Sequence, residues 1–271
     1  MKVSLVLSTH AAQFQAVALK GNLADNVRKI ASWGYRGVEL AIRDPALVDA
    51  GELYDLVRSH GMTVPSIGTG QALGEEGLSY VDADATVRRA AIDRTVSHVP
   101  VASRLEALVI IGLLRGVVRP GIDPAQARRW MVDALKECCE AAGRSGVRLA
   151  LEPLNRYETT LINTVEEGLA LIDEVGAPNL GLLLDTFHMN IEEPSIEGSI
   201  AACGKHILHF HVADSNRWHP GAGHLDFASI LKALQATGYQ GWVSGEFMPL
   251  PDADTAGQRA MAHLRTLGVA P

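Results

Sequence analysis

The chain has 271 residues, 47% hydrophobic and 20% charged, a balance too apolar for a disordered polymer and ordinary for a folded one. Its 24 Lys plus Arg against 31 Asp plus Glu leave a formal charge of −7, which argues against nucleic acid as the main ligand, and 5% aromatics leave little to stack on bases. The longest apolar stretches, such as Leu105–Leu114, fall far short of the ~20 residues that cross a bilayer, and three cysteines, two adjacent, form no disulfide framework; no membrane association and a cytoplasmic location are expected.

Taken in chain order, short apolar runs alternate with longer helical stretches. Strands are predicted at Val3–Leu7, Gly37–Ala41, Thr63–Ile67, Ala107–Ile111, Arg148–Glu152, Gly181–Asp185, Ile207–Val212 and Trp242–Glu246. Helices are predicted near Leu23–Trp33, Ala50–His60, Asp84–Val99, Pro124–Arg144, Val165–Val175, Ile196–Ala202, Phe227–Thr237 and Ala253–Leu267. In the fourth, Trp130, Ala134, Cys138 and Ala142 recur four apart on one face. Thr164 with Glu167 fits a capping box at the start of the fifth. Eight strand–helix units without a linker predict a single α/β domain over residues 1–271, a (β/α)8 TIM barrel, since a doubly wound sheet rarely needs so many units. Its chemistry then belongs at the C-terminal ends of the strands.

The last four predicted strands end in Glu152, Asp185, His211 and Glu246. Side chains alternate faces along a strand, so each can point into the barrel mouth, where an unpaired charge is costly. Three carboxylates and one imidazole suit Mn²⁺, Co²⁺ or Mg²⁺ better than a structural zinc. Two of them, Glu152 and Glu246, come from strands three apart and can reach opposite faces of one carbon. With a divalent cation polarising the neighbouring ketone, such a pair inverts a stereocentre by removing a proton from one face and returning one from the other.

These residues lie in long motifs: Glu152-Pro-Leu-Asn-Arg-Tyr-Glu158, Leu184-Asp-Thr-Phe-His-Met-Asn190, His209-Phe-His-Val-Ala-Asp-Ser-Asn-Arg217 and Gly245-Glu246. They resemble the xylose-isomerase-like sugar isomerases and epimerases, in particular the D-tagatose/D-psicose 3-epimerase group. The resemblance implies one divalent metal, Mn²⁺ or Co²⁺, held by Glu152, Asp185, His211 and Glu246, with Glu152 and Glu246 as the acid/base pair. It also implies that Glu158, His188 and Arg217 bind the substrate, a small keto sugar or keto-sugar acid, and that the barrel pairs into a homo-oligomer. Met1–Thr9, Arg43-Asp-Pro45, Ile67–Ala72, Leu108–Gly116 and His211–Trp218 look closest to the 5-keto-L-gluconate epimerases of inositol catabolism, which interconvert that acid with D-tagaturonate.

Arg43 and Arg115 stand just beyond the second and fourth strands, at the mouth end, where either could pair with a substrate carboxylate. The ketose epimerases place an aromatic near residue 113, where this chain has Leu113, which turns the expectation from free ketohexoses toward a sugar acid. His209 shares a face with His211 one layer deeper and reads as a satisfied core histidine, the alternative being that it supports the site from beneath. Gly68-Thr-Gly70 is a partial dinucleotide fingerprint, with Leu73 at the third glycine position, and reads as a turn. The same scaffold could run aldose–ketose isomerisation or dehydration of a keto-inositol. An endonuclease-IV-like phosphodiesterase would need extra ligands on the third and fourth strands, where Ser66-Ile67 and Ile110-Ile111 stand. A non-catalytic sugar-binding barrel would have no use for an acid/base pair.

Overall fold

Residues 1–269 are described by the computed structural model. The strands are β1 (Lys2–Ser8), β2 (Leu19–Lys20), β3 (Gly37–Ala41), β4 (Ser66–Gly68), β5 (Leu108–Ile111), β6 (Leu149–Leu151), β7 (Leu180–Asp185), β8 (Ile207–Val212) and β9 (Trp242–Gly245). Eight of them pair in parallel and in chain order, β1 with β3 and so on to β9, and β9 returns to β1 to close a TIM barrel. The short β2 stands outside that cycle and extends the upper end of β1 through Leu7–Leu19 and Ser8–Lys20. β4 is shorter than expected because Pro65, which has no N–H for the ladder, precedes it; Thr63 keeps only an isolated bridge to Gly37.

Around the barrel lie α1 (Leu23–Ser32), α2 (Ala50–Ser59), α3 (Gln71–Glu76), α4 (Ala85–Leu105), α5 (Pro124–Gly143), α6 (Val165–Val175), α7 (Thr186–Glu192), α8 (Ile196–Cys203), α9 (Phe227–Ala236) and α10 (Ala253–Thr266). Asp49, Asp84, Asp123, Ser195, Asp226 and Asp252 cap α2, α4, α5, α8, α9 and α10 by accepting a first-turn backbone N–H. Each such cap contributes about 1 kcal/mol. The capping box of Thr164 and Glu167 is present at α6. Two helices lack a sequence signal: α3 is short and contains Gly74, and α7 begins at the residue after β7 with no intervening loop. No helix among the described residues is long and apolar enough to cross a membrane.

The main core lies between barrel and helices, where alternate strand residues such as Leu5, Leu40, Val109, Leu182 and Val243 meet the helical faces. The inward-facing set divides. Leu108, Ile110, Ala150 and Leu183 fill one side with hydrocarbon. Ser4, Glu39, Ser66, His209 and Ser244, none more than 1% exposed, fill the other with polar groups.

Candidate active site

At the C-terminal end of the barrel, β6 through β9 deliver the four residues that the strand pattern singled out. Glu152 follows β6, Asp185 ends β7, His211 lies in β8 and Glu246 follows β9. One ligand atom from each falls within 4.8 Å of the other three. His211 Nδ1 stands 3.8 Å from Glu152 Oε1, 3.8 Å from Asp185 Oδ2 and 3.9 Å from Glu246 Oε2. Those gaps are too long for hydrogen bonds. Donors sharing one ion at about 2.1 Å stand roughly 3–4 Å apart.

The local folding explains which atoms converge. Asp185 doubles as the N-cap of α7: its Oδ1 accepts the Phe187 N–H at 2.8 Å, and its Oδ2 is left facing the cluster. Glu152 Oε1, Asp185 Oδ2 and His211 Nδ1 are all buried without a hydrogen-bond partner among the described residues. Orphaned buried atoms are rare, and these three point at one spot. The donor set therefore fits a divalent cation.

Beneath the cluster lies Glu39 in the middle of β3. Its carboxylate accepts from His209 Nε2 at 2.7 Å, Ser66 Oγ at 2.7 Å and His211 Nε2 at 3.0 Å. A carboxylate only accepts, so His211 keeps a proton on Nε2 and turns Nδ1 toward the cluster. The signal for Glu39 was present in the sequence as a lone carboxylate centred in the apolar run Gly37–Ala41, but nothing in that run identifies its partner. His209 is the buried, satisfied histidine expected from its position, and it joins this network.

Electrostatics follow the crowding. Burial drives Glu152 well above the usual carboxylate range, with the charges of Glu246 and Asp185 adding to the rise and His211 opposing it. Burial raises Asp185 as well, against the pull of Arg217 and His211. Glu246 is pushed up to about 7, mainly by burial, although His211 and Arg217 pull it down. Burial disfavours the charged form of His211, but Glu39, Glu246 and Glu152 together lift it to about 10. Without a cation, a proton on this imidazole offsets part of the acidic cluster.

Glu158, His188 and Arg217 also meet at the mouth. Arg217 donates from Nη1 to Glu158 Oε1 at 2.7 Å and from Nη2 to Glu246 Oε2 at 3.0 Å. Its guanidinium lies 4.7 Å from the Phe187 ring and 5.4 Å from the Phe14 ring. Its backbone is left-handed, φ 60°, an uncommon conformation for a long side chain and one that surrounding contacts must hold. Here Arg217 N–H bonds Asp214 O, and its carbonyl accepts from Met248 N–H. His188 Nε2 lies 3.9 Å from both Glu152 Oε1 and Asp185 Oδ2, and burial holds its imidazole well below its ordinary pKa, neutral.

Over these residues opens a cavity of about 370 Å³, within the range of small-molecule sites. One wall is polar, with Glu39, Glu152, Glu158, His188, His211, Arg217 and Glu246; Val6, Phe14, Val17, Ile110, Leu113 and Leu154 make the other. Phe14, from the segment after β1, carried no sequence signal.

Arg43 and Arg115 are not on this wall, which corrects their expected role. Arg43 Nε lies 3.2 Å from Glu76 Oε1 at the end of α3. Arg115 is fully buried and donates from Nη1 to the backbone carbonyl of Glu152. The tight helical turn Leu113–Arg115 presents Leu113 to the cavity instead. Burial lowers Arg115 to about 10 against the charges of Glu152, Glu158 and Glu167.

The comparisons with known proteins agree with this architecture. A family described as "Xylose isomerase-like TIM barrel" matches residues 27–267. An L-ribulose 3-epimerase of Methylomonas sp. (strain DH-1) is 33% identical over 217 residues, 79% of this chain and 74% of that protein. A 3-dehydro-D-guloside 4-epimerase of Escherichia coli is 35% identical over 140 residues, 51% of this chain and 53% of that one. The structure of a D-psicose 3-epimerase with D-tagatose from Clostridium cellulolyticum H10 superposes with a TM-score of 0.84 at 25% identity, covering 100% of both chains. The chain belongs to the xylose isomerase-like TIM barrel family, among its carbohydrate epimerases, and is an isomerase.

Proposed function

We propose that the chain is a metal-dependent ketose epimerase that inverts the carbon next to a substrate ketone by proton transfer between Glu152 and Glu246. The observation that carries this reading is the convergence of unpartnered donor atoms of Glu152, Asp185 and His211, with Glu246 alongside, at the floor of a sugar-sized cavity. These four residues would hold one divalent ion, Mn²⁺ or Co²⁺ by the resemblance; when bound, the ion supplies Lewis-acid polarisation of the substrate carbonyl. The Glu152 carboxylate takes no hydrogen bond from the described protein, and Arg217 binds Oε2 of Glu246, which leaves Oε1 for a proton. One glutamate removes the proton beside the ketone and the other delivers one from the opposite face. Arg217 and the neutral His188 hold the substrate oxygens, and Phe14 and Leu113 cover its carbon skeleton.

An uncharged ketose fits the cavity's charge. Arg217 is the one Lys or Arg lining it among the described residues, and two carboxylates already bind it, while Glu39, Glu75, Glu152, Glu158 and Glu246 are acidic. The second reading, 5-keto-L-gluconate to D-tagaturonate, rests on the long N-terminal motifs and lacks the arginine partners first assigned to it. A turnover panel of ketohexoses, ketopentoses and ketohexuronates with Mn²⁺, read by NMR in D2O, decides. Deuterium at one inverted carbon supports epimerisation; an aldose product or loss of water refutes it. Rates on the uronates far above those on neutral ketoses would refute the uncharged substrate. The free, buried Cys138, Cys139 and Cys203 favour a reducing, cytoplasmic location.

A further inference from the structure

The loop after β6 contains an amide that fixes the hydrogen-bonding state of its neighbour. Asn155 is only 2% exposed. Its Oδ1 accepts the Tyr157 backbone N–H at 3.0 Å. A backbone N–H can only donate, so this contact sets the amide's orientation, oxygen toward Tyr157 and nitrogen toward His188. The nitrogen lies 2.7 Å from His188 Nδ1 and 3.0 Å from Glu158 Oε1. The Asn155 backbone N–H also reaches His188 Nδ1, at 3.3 Å. Two groups that can only donate thus converge on Nδ1. That nitrogen must hold the lone pair, and the ring proton sits on Nε2.

His188 Nε2 is buried and has no hydrogen-bond partner among the described residues. It faces the space between Glu152 and Asp185, 3.9 Å from an oxygen of each. A buried N–H without an acceptor is costly, so this one is poised to meet an oxygen from a bound ligand. We propose that Asn155 is a positioning residue: it locks His188 in the Nε2–H form, so that substrate meets a neutral, prealigned donor beside the acid/base pair. The same amide ties Glu158, and through it Arg217, to that donor. The identity of the oxygen rests on the epimerase reading; the tautomer does not.

The test uses full-length protein loaded with diamagnetic Mg²⁺, labelled with ¹⁵N-histidine and assigned with a His188→Gln variant. The parent protein is expected to show His188 with an unprotonated Nδ1 and a protonated Nε2. Asn155→Asp replaces the donor with an acceptor and should move the proton to Nδ1. With it kcat should fall about 100-fold, as for loss of a preorganised donor felt most in the transition state, and KM should rise because the new carboxylate faces Glu158 Oε1, the oxygen that holds Arg217. Asn155→Leu removes the amide's bonds to His188, Glu158 and the Tyr157 N–H together and leaves the backbone N–H as the remaining donor on Nδ1, so the Nε2–H form should be less fully populated and kcat about tenfold lower. A protonated Nδ1 in the parent, or parental kcat in the Asp variant, overturns the assignment. The tautomer is read without turnover, so a parent inactive on every keto sugar would sink the epimerase reading while the NMR result still decides this one.

Discussion

Replacing Glu39 with Gln should weaken metal binding although Glu39 is not one of the four proposed ligands. The carboxylate takes three hydrogen bonds, from His209, Ser66 and His211, at 2.7, 2.7 and 3.0 Å. A Gln keeps one acceptor oxygen and sets an NH2 against groups that also donate, so at least one donor loses its partner. A hydrogen bond to a charged group contributes about 1.5–3 kcal/mol, and the part that aligns His211 Nδ1 is felt by the ion. Removing such outer partners typically lowers metal affinity about 10- to 100-fold, equivalent to about 1.4–2.7 kcal/mol. Calorimetric titration of Mn²⁺ or Co²⁺ into chelator-stripped parent and Glu39→Gln protein measures it, with thermal unfolding of both stripped proteins reporting fold damage separately. A metal Kd within twofold of the parent's, in a variant that remains folded, would refute the orientation of His211 by Glu39.

Metal affinity should rise with pH, because an ion at His211 Nδ1 displaces a proton held with a pKa of about 10 in the metal-free protein. Below that value the expected slope is about tenfold per unit, steeper below 7 where Glu246 also gives up a proton, and a flat profile between pH 6 and 8 contradicts it. Glu152→Gln and Glu246→Gln should each abolish turnover, and chelation should inactivate the parent with recovery on Mn²⁺ or Co²⁺; full activity after thorough chelation would overturn the metal mechanism. A Cβ at Gly112 would lie 3.0 Å from Glu152 Oε2, so Gly112→Ala should lower kcat at least tenfold with little loss of Tm, and an unaltered kcat would show that Glu152 has room to shift.

The barrel and its catalytic end were legible because strand periodicity and terminal polarity agree: Asp185 and His211 each follow an apolar run that dictates their facing. Arg43 and Arg115 were misplaced for the converse reason. Standing past a strand end tells which rim a residue occupies, not where a loop side chain turns, and α3 and the Leu113–Arg115 turn decided that. α7 was hidden because its N-cap is Asp185 itself, so strand and helix abut with no turn residues between them. Glu39 and Asn155 act through partners far away in the chain, His211 and His188, and such pairing exists only after the barrel closes.

The division of the barrel interior carries a cost in ruggedness. The Ser4, Glu39, Ser66, His209 and Ser244 half occupies space that hydrocarbon could fill, as Leu108, Ile110, Ala150 and Leu183 fill the other. Well-packed apolar replacements for such networks are often neutral or stabilising. Selection of this protein for heat resistance alone should therefore erode Glu39 and His209 early, yielding tougher barrels that no longer seat an ion, whereas stabilising changes compatible with activity should collect on the helices.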